Sequence, residues 1–268
     1  MCRVVSFASG KGGVGKTSLV SNLGVLNAKA GKKTLLIDAD WSLGKLGIVL
    51  GARPRWTIDS VLQGKISLQG AIEPVRENLC LLGSPTGMMG FEELSEPMRN
   101  QLYFDLDTVV SDYDTVFLDH SSGIHWGVLQ FASASHQHVI VTTSEPTSYT
   151  DAYAIMKILT KRFSIRNFGL VVTMSDSIKQ SEGIIHRFKD VVHSHLDVRL
   201  EVLDIIQRET KMSEAIISQS PFVEKFPSHP LTSRLGVLLD KINTAPVKPS
   251  GRLLFNFSGT TPAAQGNP

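Results

Sequence analysis

The chain predicts an α/β fold: a single domain on a mostly parallel, twisted sheet of about seven to eight strands with helices on both faces. Three observations predict it. Short β-branched runs alternate with longer segments of helical pattern, the order expected when parallel strands are joined by crossover helices. The runs are almost continuously apolar, as strands covered on both faces are. A length of 268 residues with 42% apolar side chains and a net charge of +2 suits one large α/β domain with a substantial core.

In chain order the strands are "RVVSFA", "KTLLIDA", "LCLLGS", "TVFLDH", "HVIVTTS", "FGLVVTM" and "RLEVLDII". Helices are predicted between them over 17–29, 91–111, 147–163 and 179–196. In the last, Ile184, Phe188, Val192 and Leu196 recur every four residues and define one buried stripe. Glu145 and Pro146 end the strand before the third, with Thr147 or Ser148 available as its N-cap. Two final helices follow over 209–218 and 231–242, the second just after Pro230. Residues 1–243 therefore read as the domain. Pro246, Pro249 and Gly251 open a Pro/Gly/Ser-rich tail over 244–268, expected to be mobile.

Composition excludes several function classes. Cys2 and Cys80 are too few and too far apart for a disulfide framework, a cysteine-rich zinc site or a Cys-x-x-Cys redox pair, and a reducing cytoplasm is the simple reading. "MCRVVSFASG" is too short an apolar run for a secretory signal, and no run approaches the roughly 20 residues of a membrane-spanning helix. The weak net charge means that binding to DNA or anionic lipid would need a local basic patch.

Gly10-Lys11-Gly12-Gly13-Val14-Gly15-Lys16-Thr17 satisfies G-x-x-x-x-G-K-[ST], and it lies between a predicted strand and a predicted helix as a phosphate-binding P-loop requires. The domain is thus expected to be a P-loop NTPase. The glycines let successive N–H groups of Gly12, Gly13, Val14, Gly15, Lys16, Thr17 and Ser18 turn toward phosphate oxygens, and the helix start adds partial positive charge. Lys16 is expected to bridge the β- and γ-phosphates and Thr17 to bind Mg2+. Lys11 has two readings from spacing alone. It is either a solvated loop lysine or a cation that neutralises a phosphate held by a facing copy, as an arginine finger does.

Asp38 and Asp40 end the second strand, and period-two alternation puts both on one face, where α/β sheets bind ligands. Asp38 is assigned to the water shell of Mg2+ near Thr17, and Asp40 to positioning the attacking water. "DTVFLDHSSG" ends an apolar strand in Asp119, the Walker B arrangement, and a carboxylate there would hold Mg2+ through water. His120 follows; a hydrogen-bonded structural role is preferred to ligand or base, because Mg2+ prefers oxygen. His136, His138, His193 and His195 are placed on helix faces or turns without a converging partner set.

"KGGVGKT" resembles the deviant Walker A motif of the MinD/ParA family of dimerising ATPases, and the resemblance runs from Arg3 to about Ile242. Within that family "SEPTSYTDAYAIMKIL", "QSEGIIHRF" and "LDVRLEVLDIIQRETKMSEAIISQSPFVEKFP" are most similar to the FlhG (FleN) branch of flagellar-number regulators. The resemblance implies that Lys11 crosses a dimer interface and that Asp38 and Asp40 are the family's D-x-D, the second acid supporting hydrolysis. It implies ATP/ADP with Mg2+ as ligands, a homodimer in the ATP state, and a partner in flagellar assembly or transcription. It implies a cytoplasmic protein, peripheral to the inner membrane or at a cell pole.

Departures from the family pattern bear on the base and on switching. Thr173 stands where the family has an adenine-reading asparagine, Gln207 where it has a proline before the acid at Glu209, and His120 and Ser121 where it has small residues. An aspartate common after D-x-D is replaced around Gly47. Thr173, Gln207 and Glu209 are carried over as the base-binding positions. No extension precedes the first strand, so the activating motif some FlhG proteins carry there is expected to be missing. In the tail, "GRLLFNF" has one basic and four apolar residues, a poor interfacial helix, so membrane contact is expected to be weak.

The expected function is a slow, partner-regulated Mg2+-dependent ATPase working as a dimerising switch that sets the number or placement of flagella. A ParA-like DNA-partition ATPase is the alternative. It would use Lys157, Lys161, Arg162 and Arg166 as a basic patch, and DNA is the less favoured partner. A nucleotide-binding scaffold with little hydrolysis is a third reading, suggested by the residues after Walker B.

Overall fold

A computed structural model describes residues 2–41, 44–84, 94–124 and 126–246. Its strands are β1 (Arg3–Ser9), β2 (Thr34–Ala39), β3 (Glu73–Arg76), β4 (Leu79–Leu82), β5 (Thr115–Ser122), β6 (Gln137–Thr143), β7 (Asn167–Ser175) and β8 (Arg199–Gln207). The long helices are α1 (Lys16–Lys29), α5 (Glu96–Val110), α7 (Pro146–Phe163), α8 (Ile178–His195) and α11 (Pro230–Thr244). Shorter ones are α2 (Leu46–Leu50), α3 (Ile58–Leu62), α4 (Leu68–Ala71), α6 (Trp126–Ser133), α9 (Lys211–Ile217) and α10 (Phe222–Lys225).

All eight strands join one sheet in the order β3-β4-β2-β5-β1-β6-β7-β8. Every pairing is parallel except β3 with β4. Successive side chains alternate faces. Val5 and Phe7 of β1, Leu36 of β2, Phe117 of β5 and Val171 of β7 pack beneath α1 and α11. On the opposite face Val4, Leu35 and Leu118 meet α5, while Ala8, Ile140 and Leu170 meet α7 and α8. Apolar residues at consecutive positions thus serve two cores, which is why the strands read as continuous apolar runs.

Four hydrogen bonds, one buried and three part-buried, fasten the carboxyl-terminal helices to the rest. Asn22 Oδ1 of α1 accepts from Val223 N at 2.9 Å, and Asn243 Nδ2 donates to Asn27 Oδ1 at 3.0 Å. Arg3 donates to Ile242 O at 2.9 Å, and Lys241 Nζ to Leu203 O at 2.6 Å. β1 lies between β5 and β6 at the centre of the sheet, so its carboxyl end is the crevice where an open α/β sheet receives ligands.

Several expectations are corrected. β3 is an eighth strand, antiparallel at the sheet edge, where Pro74 loses no needed ladder bond. α6 is an added helix, and its buried residues face two different cores, Phe131 one and Leu129 and Ala132 the other, so no single stripe marks it. On α8 the stripe runs through Ile185 rather than Ile184, which is half-buried. The N-cap of α7 is Glu145, with Pro146 at N1; Ser148 instead bonds back to Thr142 Oγ1 at 2.7 Å and accepts from Thr143 N at 3.1 Å. His138 lies in β6, buried, not on a helix or turn. α11 runs from Pro230 through Thr244, two residues past the helix end predicted at 242. Residues 91–93 of the predicted second helix and 247–268 of the tail, "GRLLFNF" included, lie outside the described residues.

Candidate active site

β1 ends at Ser9 and α1 begins at Lys16, so the whole G-x-x-x-x-G stretch is the turn between them. Gly13 and Gly15 hold φ of +79° and +80°, a left-handed conformation strained for any side chain. Gly15 is the N-cap of α1 and offers no side-chain bond to the helix start, whose first turn carries no acidic residue. The first N–H groups of α1 have no acceptor within the helix, and their partial positive charge faces the loop.

The loop forms one wall of a cavity of about 480 Å³, within the range of small-molecule sites. Gly12, Gly13, Val14, Gly15, Lys16, Thr17 and Ser18 line it, with Asp40 and Lys45 at one side and Thr173, Gln207 and Glu209 at the other. A Cβ built on Gly13 would meet nothing within 4 Å, so open space adjoins the loop there. Open cradle, lysine, hydroxyl and acids together fit a nucleotide's phosphates with Mg2+. Among the described residues no three His, Cys, Asp or Glu side chains converge as a metal cage. Magnesium does not require one, since one or two carboxylates plus phosphates commonly hold it.

Lys16 is buried, and its Nζ donates to Asp119 Oδ1 at 2.5 Å and to His120 O. Asp119 pairs in register with Asp38 across β5 and β2. Asp38 accepts from Asp40 N at 3.1 Å and from Leu46 N at 2.9 Å, so it also holds the turn after β2. Burial first and the neighbouring Asp119 charge second push its pKa up to about 7. Neither Asp38 nor Asp119 lines the cavity, whereas Asp40 does. β2 stops at Ala39, so Asp40 follows the strand as the first residue beyond it, ahead of the turn at Trp41.

Lys11 stands off the cavity wall, half-exposed, and its ammonium pairs with the Glu145 carboxylate. Gly10 lies against α7: a Cβ there would fall 2.9 Å from Asp151 C and 3.0 Å from its Cα. Thr173 lines the cavity, but its hydroxyl is directed at Val14 O (2.6 Å) and Thr142 O (3.1 Å), so its donor anchors the loop instead of facing a base. Gln207 is exposed on the wall. Glu209 accepts from Lys211 N at 3.0 Å and lies 3.5 Å from His229 Nε2, bracing α9 against the start of α11.

His120 is fully buried, and among the described residues neither ring nitrogen has a hydrogen-bond partner, which corrects the expected hydrogen-bonded role. Burial, then Lys16 and His138, push its pKa down to about 3, so the ring is neutral. Sequence reasoning missed Lys45, Met174 and the α9 residues Met212, Ser213 and Ile216 on the cavity wall. Lys45 was legible as a lysine five residues after Asp40. Met174, at φ +52° with its Cε 3.4 Å from where a Gly15 Cβ would stand, carried no local signal.

Comparison with known proteins agrees with this geometry. A family profile described as "AAA domain" matches residues 2–166. The antiactivator FleN of Pseudomonas aeruginosa is 27% identical over 255 residues, covering 94% of this chain and 91% of FleN. The septum site-determining protein MinD of Thermotoga maritima is 32% identical over 225 residues, covering 82% of this chain and 76% of that one. The chain belongs to the MinD/ParA family of P-loop ATPases. A solved MinD from Pyrococcus horikoshii, complexed with Mg-ADP, superposes with a TM-score of 0.74 over 91% of this chain and 97% of its own. At 21% identity that likeness speaks to the fold alone. MinD/ParA membership fits the order of parts at the sheet's carboxyl edge: loop after β1, acids after β2 and in β5.

Proposed function

We propose that this chain is an ATP-dependent dimerising switch of the FlhG kind, in which ATP closes a two-fold dimer and slow Mg2+-dependent hydrolysis opens it. The altered surface regulates the number or placement of flagella through an assembly or transcription partner. The observation that carries this reading is Lys11, held on the outer rim of the loop, half-exposed and off the wall that Lys16 and Thr17 form. In this reading the ammonium leaves Glu145 to meet a phosphate across the interface of a two-fold dimer rather than its own. The near full-length likeness to FleN supports the flagellar assignment.

Within one copy, Lys16 and the N–H groups of α1 bind and orient the phosphates, while Thr17, Asp38 and Asp119 would hold Mg2+. Held there, the ion would supply neutralisation of the phosphate charge. Asp40, on the cavity wall, accepts a hydrogen bond from the attacking water and orients it. The DNA-partition reading draws on the end of α7, where Arg166 lies 4.0 Å from Asp197, an acid inside its basic patch.

Light scattering on gel filtration tests the switch. The wild type is expected to dimerise with a non-hydrolysable triphosphate and to remain monomeric with ADP, and Lys11→Ala is expected to stay monomeric with both. A Lys11→Ala protein that dimerises as its parent does would sink the reading.

A further inference from the structure

Three lysines surround the loop, and each stands against a carboxylate: Lys16 on Asp119, Lys11 on Glu145 and Lys45 on Asp40. The first two have work in the function above, and Lys45 has none. It lines the same cavity as Thr17 and Asp40, with Nζ 3.6 Å from Asp40 Oδ2 and its side chain 53% exposed. Its backbone is fixed on both sides. A Cβ on Gly44 would fall 2.2 Å from Ser84 O, leaving room for no side chain, and Leu46 N is bonded to Asp38 Oδ2. A flexible, strongly hydrated cation is thus carried on a fixed base at the phosphate side of the cavity.

We propose that Lys45 is a phosphate-binding residue of this site, its ammonium joining Asp40 to the terminal phosphate of a bound nucleoside triphosphate. The inference rests on the reading of the cavity as a nucleoside-triphosphate site. An ammonium has three donors and no acceptor, so it holds a carboxylate oxygen and a phosphate oxygen at once. Lys16 gives donors to Asp119 and to His120 O, on β5; Lys45 approaches from the Asp40 side, where the attacking water would lie. Because half of the side chain remains in solvent, binding does not require the ammonium to be stripped of all its water. A diphosphate lacks the group that Lys45 meets, so Lys45 discriminates triphosphate from diphosphate.

The test is equilibrium titration of wild type, Lys45→Met, Lys45→Gln and Lys45→Arg with fluorescent ADP and with a fluorescent non-hydrolysable triphosphate, both with Mg2+. The neutral variants are expected to weaken the triphosphate about fivefold, the scale of a partly exposed charged contact, while ADP is unchanged and Lys45→Arg behaves as wild type. A triphosphate-to-diphosphate affinity ratio that is the same in wild type and both neutral variants overturns the role of Lys45 alone. A wild type that binds neither nucleotide overturns the site reading itself.

Discussion

At the residue scale, burial decides the chemistry of the sheet histidines. His138 is 8% exposed, and among the described residues its Nδ1 has no hydrogen-bond partner. Burial first, then the charge of His136, push its pKa down to about 4 from 6.5. A folded-state value below the unfolded one means that protonation favours unfolding. Stability is therefore full above pH 6.5 and declines as pH falls through the window down to about 4. Between pH 7.5 and pH 5 His138 is expected to account for about 2 kcal/mol of lost stability. Urea denaturation at the two pH values checks this, because His138→Leu should shrink the wild-type drop by that amount. An equal drop in both proteins would show that the ring is not held neutral. His120, one position past Asp119, is pushed lower still, to about 3, and adds to the same acid sensitivity. Neither shift was legible locally, because both depend on strands and helices packed from elsewhere in the chain.

At the element scale, the coupling of note is between the loop and α7. The first glycine of the P-loop pattern has a reason that the pattern does not state: Asp151, one turn into α7, occupies the space a side chain at Gly10 would need. Gly10→Ala is expected to destabilise the fold by about 2 kcal/mol, because backbone as well as side chain must give way. Thermal unfolding of the variant reads this directly, and a melting temperature equal to wild type would mean that α7 yields without cost. The segment "SEPTSYTDAYA" thereby acquires a structural meaning: Glu145 meets Lys11, Ser148 ties α7 to β6, and Asp151 closes over Gly10. Elements with a full period or a clear breaker were legible. β3 and α6 were not, since one is four residues with a proline and the other divides its apolar residues between two cores.

At the scale of the whole molecule, α1 carries the loop at one end and is fastened along its length to the carboxyl-terminal helices. Asn22, 1% exposed and on the cavity wall, accepts from Val223 N and donates to Ser18 O at 2.6 Å. Asn22→Ala would leave the Val223 amide without that acceptor, at a cost of about 2 kcal/mol. The expected result is a lower denaturation midpoint with an unchanged denaturant slope, as a smaller loss of surface is not involved. No shift in midpoint would mean that α10 finds another acceptor. Through this link α10 is tied to the helix that bears Lys16.

The sequence by itself determined the phosphate loop, the parallel alternation and the acids at the strand ends. Those follow from local rules: which residue tolerates positive φ, which spacing fills both faces of a strand, which motif precedes a helix. Only the tertiary structure decided which cation meets which carboxylate and which polar groups face the cavity. Lys11 and Glu145 are 134 positions apart, and Lys16 and Asp119 are 103 apart. No local period carries such pairings, because they arise where strand ends separated along the chain are brought side by side in one sheet.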